Sequence, residues 1–312
     1  MLSIIIPAYN EEDNILRTVQ VLLDIMSENQ IPCELIFIND GSKDKTQNLI
    51  EQSAKEHNNI RGICFSRNFG KEACMFAGLK ASRGDCCVVI DCDLQHPPET
   101  IPMMYKYWQN GYEVVEGVKR SRGRESVLYK MSAGMFYKIM SRFIGMDMEA
   151  SSDFKLLDRK VVDVLCELPE KSTFFRALSF WAGFKSTTIE YDVVPREFGV
   201  TKWSFIKLVR YAINNIVSFT SAPLQIVTIM GTLSILFSAL LFVHTLGMWV
   251  IGASVEGFTT VIMLLLLIGG AIMLSLGIIG FYISKIFEEV KGRPQYIISK
   301  ECGTVNEKPQ TE

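Results

Sequence analysis

The sequence predicts an α/β chain: a mostly parallel sheet with helices on its faces, then a hairpin of two membrane-spanning helices. Two observations carry this expectation. Short apolar runs alternate with helical stretches through the first 120 residues, and that βαβα order builds a parallel sheet. In the last third, two long stretches carry no Asp, Glu, Lys or Arg, which a buried globular helix rarely sustains.

The elements follow in order. "LSIIIPAY" reads as a first strand, and "EEDNILRTVQVLLDIMSEN" as a helix with Ile15, Val19, Leu22 and Leu23 on one face. "CELIFIND" is a second strand, closed by the turn "DGSKDKT", which opens another helix. "RGICFSRN" is a third strand, "GKEACMFAGLKAS" the next helix and "DCCVVIDCD" the fourth strand. Ligands of such sheets bind outside the carboxyl ends of the strands. The conspicuous polar residues gather there. Pro7, Tyr9, Asn10 and Glu11 follow strand one, and Asp40, Gly41 and Ser42 follow strand two. Arg67, Asn68 and Gly70 follow strand three, and Asp91, Asp93, Gln95 and His96 follow strand four.

Strand four thus delivers two carboxylates one residue apart. Like charges so close repel unless a cation lies between them. Mg²⁺ and Mn²⁺ prefer oxygen ligands and commonly take one or two carboxylates, with phosphates completing the shell. The pair therefore predicts a metal that grips a diphosphate. The alternative is a solvated turn, where Asp is common.

No Asp, Glu, Lys or Arg occurs from Tyr211 to Val255, nor between Glu256 and Lys285. A spanning helix needs about 20 mostly apolar residues. The expected spans are Ile226 to Gly247 and Phe258 to Ser284. Lys202, Lys207 and Arg210 precede the first, and Lys285, Lys291 and Arg293 follow the second. Basic flanks with only Glu256 between the spans put both termini in the cytoplasm. The start, "MLSIIIPAYNEEDN", has no basic leader and no long apolar core, so no signal peptide is expected. The stretches "VLYKMSAGMFYKIMSRFIG" and "WSFIKLVRYAINNIVSFTSA" are amphipathic. Each can lie along a membrane surface or pack as an ordinary helix.

Composition agrees. Hydrophobic residues make up 48% of the chain, above a soluble norm, and the excess sits in the spans. The net charge of -2 gives no broad basic field for nucleic acid. The eight cysteines show no paired metal spacing, and Cys86 and Cys87 read as small core hydrophobes. A reducing cytosol suits the first 200 residues.

The segments "IIIPAYNEEDNI", "FINDGSKDKT", "NFGKEACMFAGL" and "VVIDCDLQHPPE" resemble successive motifs of inverting family 2 glycosyltransferases. The similarity is to the polyprenyl-phosphate branch, the bactoprenol glucosyltransferase and dolichyl-phosphate mannosyltransferase type. "SSDFKLLDR" and "VPREFGVTKWS" extend it, the second fitting an R-x-x-G-x-[ST]-K pattern, so the resemblance covers about residues 1–210. It implies a GT-A type nucleotide-sugar domain that moves one sugar from a nucleotide-diphosphate donor to polyprenyl phosphate, with inversion, at the inner leaflet. UDP-glucose is the first expected donor, and UDP-N-acetylglucosamine and GDP-mannose are alternatives.

Carried onto this chain, the resemblance implies that Pro7, Tyr9, Asn10, Glu11, Asp40, Lys71 and Asp91 hold the donor. Asp91, Asp93 and Gln95 surround Mg²⁺ or Mn²⁺. Arg196 and Lys202 face phosphates, and Asp153 stands near the reacting centre with Asp93. Arg122 and Arg124, in the basic turn "KRSRGRES", suit the phosphate of a lipid acceptor. Many relatives have two aspartates where this chain has Asn39 and Asp40, which leaves Asp40 as base or ribose contact. A lipid phosphate with its second pKa near ~6 is largely dianionic at neutral pH and needs little help from a base, so Asp153 is expected to orient acceptor or sugar, or to take a proton only when the monoanion binds.

The expected domains are residues 1–205 catalytic, 206–225 interfacial, 226–285 spanning and 286–312 a cytoplasmic tail. The resemblance makes a homo-oligomer, dimer or tetramer, a further expectation, and Gly269 and Gly270 permit close helix packing. Other classes fit less well. A processive synthase would carry Q-x-x-R-W, and "FFRALSFW" lacks its Gln and its Arg-Trp pair. A non-catalytic sugar-nucleotide scaffold need not keep Arg196 and Lys202 beside Asp91 and Asp93. A channel would need charged groups within its spans.

Overall fold

The computed structural model describes residues 1–120, 152–170, 174–192, 222–252 and 257–303. The chain divides into two compact units, Met1–Trp203 with Arg293–Glu312, and Ser204–Gly292.

The first unit begins as the sequence predicts. Strand β1 (Leu2–Ala8), helix α1 (Ile15–Glu28), β2 (Cys33–Asn39), α2 (Thr46–Glu56), β3 (Ile60–Phe65), α3 (Lys71–Ala81) and β4 (Cys86–Val89) succeed one another. Helix α4 (Ile101–Gln109) and β5 (Val114–Lys119) follow. Next come β6 (Lys155–Asp158), α5 (Arg159–Glu167), α6 (Phe175–Trp181) and β7 (Ser186–Tyr191). The eight strands lie in the order β7-β5-β6-β4-β1-β2-β3-β8, where β8 is Ile298–Cys302. Only the β4–β6, β5–β6 and β3–β8 pairings are antiparallel, so the sheet is mostly parallel.

The central strands are buried on both faces, as parallel sheets under helices must be. Leu2, Ile4, Ile5 and Ile6 of β1 and Leu35 to Ile38 of β2 are all fully buried. Helix α1 has no side-chain cap at its start. A cap is worth about 1 kcal/mol. Burial of Ile15, Val19, Leu22 and Met26 at roughly 1.5–3 kcal/mol each outweighs that loss. Helix α3 is buried from Ala73 to Leu79. Gly78 lets it lie on β1, since a Cβ there would clash with the Ile5 Cγ2.

The strand order fixes where a ligand fits. From β1 the chain steps to β2 and β3, then returns to place β4 on the other side of β1. A crevice opens at such a switch point. Pairing of β1 with β4 stops at Ile5 and Val89, while pairing with β2 runs on to Ala8 and Asn39. Pro7 sits beyond the end of the β4 ladder, where its missing N–H costs no hydrogen bond.

Within the expected tail of residues 286–312, the chain from Arg293 belongs to the first unit and adds a strand to its sheet. Strand β8 pairs antiparallel with β3, Tyr296 stacks on Phe65 at 4.9 Å, and Lys300 pairs with Glu51 at 2.7 Å. Five alternating residues near the C-terminus gave no strand signal strong enough to override their polarity.

The second unit holds two helices, α7 (Ala222–Val250) and α8 (Phe258–Val290). By length and composition, Pro223–Met248 and Met263–Val290 can each cross a membrane. Apolar side chains such as Leu240 and Leu266 are exposed, at 70% and 72%. The amphipathic stretch after residue 126 and most of the expected interfacial segment lie outside the described residues.

Gly41 supplies a test of the fold. Its φ is +66°, and a Cβ would fall 2.5 Å from the backbone carbonyl carbon of Arg67. Gly41→Ala is expected to cost about 1–3 kcal/mol, read as a lower unfolding midpoint in detergent. An unchanged midpoint would show that the two loops part freely.

Candidate active site

The ends of β1 and β2 are stitched together. The Asn10 N–H donates to Ser42 Oγ at 2.9 Å, and the Lys43 N–H donates to Asn10 Oδ1 at 3.0 Å. The Glu11 N–H donates to Thr46 Oγ1, and the Lys45 N–H to Glu12 Oε2. Asn10 adopts φ +55°, a left-handed turn conformation that Asn tolerates. Tyr9 is left 44% exposed above this rim, and Glu11 receives the Asn14 side-chain amide at 2.6 Å.

Asp40 and Asn39 organise the next loop. Asp40 is buried, and its two oxygens accept the Phe69 N–H at 2.6 Å and the Gly70 N–H at 2.9 Å. Burial pushes its pKa up, partly offset by those two donors. Asp40 thus ties the β2 end to the β3 end. Asn39 is buried as well, with its Nδ2 donating to Gln47 Oε1 and its Oδ1 accepting the Ser42 N–H.

The charged centre lies where β4 ends. Strand β6 runs antiparallel to β4, with Val88 opposite Leu156. Extending that register sets Asp91 opposite Asp153. Lys71, the first residue of α3, reaches between them, with Nζ 2.6 Å from Asp91 Oδ1 and 3.0 Å from Asp153 Oδ2. Arg176 from α6 forks onto Asp153, with Nε donating to Oδ1 at 2.7 Å and Nη2 to Oδ2 at 3.0 Å. Such planar pairing is among the strongest hydrogen bonds available to a carboxylate.

The electrostatics follow. Burial alone would raise the pKa of Asp153, but Lys71 and Arg176 outweigh it and hold the carboxyl well below the usual range. Burial opposes the charge of Asp91 too, yet Lys71 and His96 hold its pKa down. Burial also opposes the Lys71 charge, and Asp153 and Asp91 overcome it, raising the pKa. The Lys71 side chain is 40% exposed, but its ammonium contacts both carboxylates, and that contact decides the sign. Asp153 is therefore an anchored anion and a poor proton acceptor in this state.

A buried shell supports the centre. His96 stacks on Phe154 at 5.1 Å, and its Nδ1 is 3.8 Å from Asp91 Oδ2. Burial lowers its pKa, against the pull of the Asp91 charge. Glu72 is turned onto the N–H of Phe175 at 2.9 Å, and burial, then the charge of Asp153, pushes its pKa up to about 7.

Asp91, Asp93 and Gln95 carry side-chain oxygens on one strand-end loop, the donor type a hard divalent cation takes. Asp91 is ionised, as a ligand must be. Leu94 adopts φ +54°, which turns Asp93 Oδ1 onto the Gln95 N–H at 3.1 Å. Strain of this kind gathers at functional sites. Among the described residues no group of three His, Cys, Asp or Glu side chains makes a cage, so phosphate and water oxygens would have to complete the shell.

The structure thus brings together Asp91, Asp153 and Lys71 in direct contact, with Asp93 and Gln95 on the same strand-end loop. Pro7, Tyr9, Asn10 and Glu11 stand at the neighbouring strand end. Arg122, Arg124, Arg196 and Lys202 lie outside the described residues. Arg176 and Glu72 were not foreseen. Arg176 belongs to "FFRALSFW", which resembles the wrong motif, and nothing local ties it to a carboxylate 23 residues away.

The sheet is mostly parallel, and its acid residues gather with Lys71 at the strand ends beside the switch point, where open α/β sheets take their ligands. The family model for glycosyl transferase family 2 matches residues 3–165. Bactoprenol glucosyl transferase of Shigella phage SfII is 34% identical over 304 residues, covering 96% of this chain and 97% of that one. The uncharacterized glycosyltransferase YkcC of Bacillus subtilis (strain 168) is 37% identical, covering 98% and 95%. Glucosyl-3-phosphoglycerate synthase from Mycobacterium tuberculosis, solved with Mg²⁺ and uridine diphosphate, shares the fold with a TM-score of 0.51. That likeness has 21% identity and covers 70% of this chain and 78% of that one. The chain belongs to the family 2 glycosyltransferases, and it is a glycosyltransferase.

Two pH effects follow. A carboxyl with a depressed folded pKa adds stability above its unfolded value near ~3.9, and that stability is lost as pH falls. Lys71→Met removes the cation behind the depressed Asp153 and Asp91 values. Its deficit in melting temperature is expected to be large at pH 7 and to shrink toward pH ~2. An equal deficit at both pH values would contradict the ion pairs. Glu72 has the opposite sign. Its raised pKa costs stability as pH climbs from ~4.3 to about 7. Glu72→Gln is expected to melt higher than the parent at pH 8, with the difference shrinking to near zero as pH falls below ~4. A constant difference would remove Glu72 from the linkage.

Proposed function

We propose that this enzyme transfers a single sugar from a nucleotide-diphosphate donor to a polyprenyl phosphate at the cytoplasmic face of a membrane. The observation that carries the reading is the end-to-end match to bactoprenol glucosyl transferase, 97% of that chain, which takes in both apolar helices. A lipid acceptor explains why a soluble-looking α/β unit is joined to two helices of spanning length. The chain leaves the first unit before α7 and returns to it after α8. An even number of crossings keeps both parts of one sheet on one side, in accord with the basic flanks.

In this reading the nucleotide lies against the β1 and β2 ends, under Tyr9 and Asn10. Asp91, Asp93 and Gln95 hold Mg²⁺ or Mn²⁺, which when bound would shield the charge that develops on the departing diphosphate. Lys71, at the same crevice, adds a fixed positive charge. Arg196 and Lys202 contribute further cations on the leaving side, and Arg122 and Arg124 receive the acceptor phosphate. The acceptor arrives as a dianion, so an anchored Asp153 is no obstacle. UDP-glucose is the favoured donor, since the relative named above transfers glucose.

The test is a product assay. Purified enzyme in detergent receives undecaprenyl phosphate, Mg²⁺ or Mn²⁺, and in turn UDP-glucose, UDP-N-acetylglucosamine and GDP-mannose. Mass spectrometry is expected to show lipid heavier by one hexose with UDP-glucose, and none with Asp93→Ala. A lipid unchanged by every donor would sink the acceptor assignment.

A further inference from the structure

The helix that carries Arg176 and the loop that carries Asp153 are anchored to one buried ion pair. Lys155 of β6 is almost fully buried, with Nζ 3.3 Å from Glu116 Oε1. The same ammonium donates to Ser179 Oγ at 2.8 Å, and Ser179 Oγ donates to the Arg176 carbonyl oxygen at 3.0 Å. The same Glu116 Oε1 accepts the Ser152 N–H at 2.7 Å, one residue before Asp153. Glu72, next to Lys71, accepts the N–H of Phe175, the residue before Arg176. A buried ion pair brings little net stability, but breaking it is costly. This one holds the donor and the acceptor of the Arg176–Asp153 fork in a single frame.

The fork then determines what Asp153 can do. Asp153 Oδ1 is taken by Arg176 Nε, and Oδ2 is shared by Arg176 Nη2 and Lys71 Nζ. With both oxygens fixed, the carboxylate cannot rotate, and Lys71 is held at 2.6 Å from Asp91. The contact runs from α6 through Asp153 to the residue at the mouth of the β1–β4 crevice.

We propose that Arg176 is a positioning residue for sugar transfer: its guanidinium orients Asp153, and through Asp153 it orients Lys71 against Asp91. The proposal rests on the reading that the crevice is where transfer occurs. It gives "FFRALSFW" a role that the sequence motif did not disclose.

The experiment is a mutant cycle on Arg176→Ala, Arg176→Lys, Arg176→Gln, Asp153→Asn and the double variant Arg176→Ala/Asp153→Asn. Each is assayed for transfer to undecaprenyl phosphate and, in parallel, for donor hydrolysis, which needs no lipid. Arg176→Ala is expected to lower kcat roughly 100-fold, as misplacement of a group at the reacting centre does, with donor KM within about 3-fold. Arg176→Lys recovers part of the loss, because an ammonium keeps the charge but lacks the fork, and Arg176→Gln recovers none. Arg176→Ala adds nothing in the Asp153→Asn background, since residues acting as one unit are not additive. An unchanged kcat in Arg176→Ala, or losses that multiply in the double variant, would overturn the proposal. So would equal losses in the Lys and Gln variants that follow their melting temperatures. If the parent hydrolyses donor but makes no lipid product, the acceptor reading fails while the cycle, read on hydrolysis, still decides the role of Arg176.

Discussion

Two carboxylates from the loops beside neighbouring strands, Asp91 after β4 and Asp153 before β6, meet on Lys71 at the end of the sheet, where their repulsion must be neutralised. The antiparallel register of β4 and β6, carried past Val88 and Leu156, points the two loops at each other. Lys71 answers it from the start of α3, and Arg176 answers it from α6. Four charges from four elements thus balance, two against two. That balance requires α3 and α6 to sit where they do, so the packing of both helices serves the charged centre as well as the core.

The remaining architecture presents this centre to a ligand. Strand β1 pairs with β4 for a short distance only, and Pro7 lies where the ladder has ended. The first two strand ends are laced by side-chain to backbone bonds, and Asp40 ties the third to them. Polar loops at strand ends are usually mobile. These are braced against each other, which favours a preformed rim over one assembled on binding. The bracing draws on groups that the sequence offers as ligand contacts, Asn10 and Asp40 among them.

Much of the fold was legible. Period and order gave the first four strands and the helices between them, because core strands and amphipathic helices leave regular apolar patterns. The carboxylate pair and its company at the strand ends were legible for the same reason: topology gathers them at one edge. Three things were not. Strand β8 is short, polar and far from β3 in sequence, so only pairing defines it. The burial of Asp40 depends on backbone N–H groups of the β3 loop, which no side-chain pattern reports. Arg176 reaches Asp153 only after α6 docks on Lys155 and Glu72. Long-range partners of charged residues carry no local signature.

In the proposed reading a nucleotide and a divalent cation meet in the β1–β4 crevice, with Asp91 at its mouth. The most direct measurement is calorimetric binding of uridine diphosphate to the detergent-purified enzyme, with Mn²⁺ and without it, in the parent and in Asp91→Asn. The account predicts binding that depends on Mn²⁺ in the parent, and loss of that dependence with weaker affinity in Asp91→Asn. Equal affinity in all four conditions would contradict it, and would move the nucleotide away from the crevice.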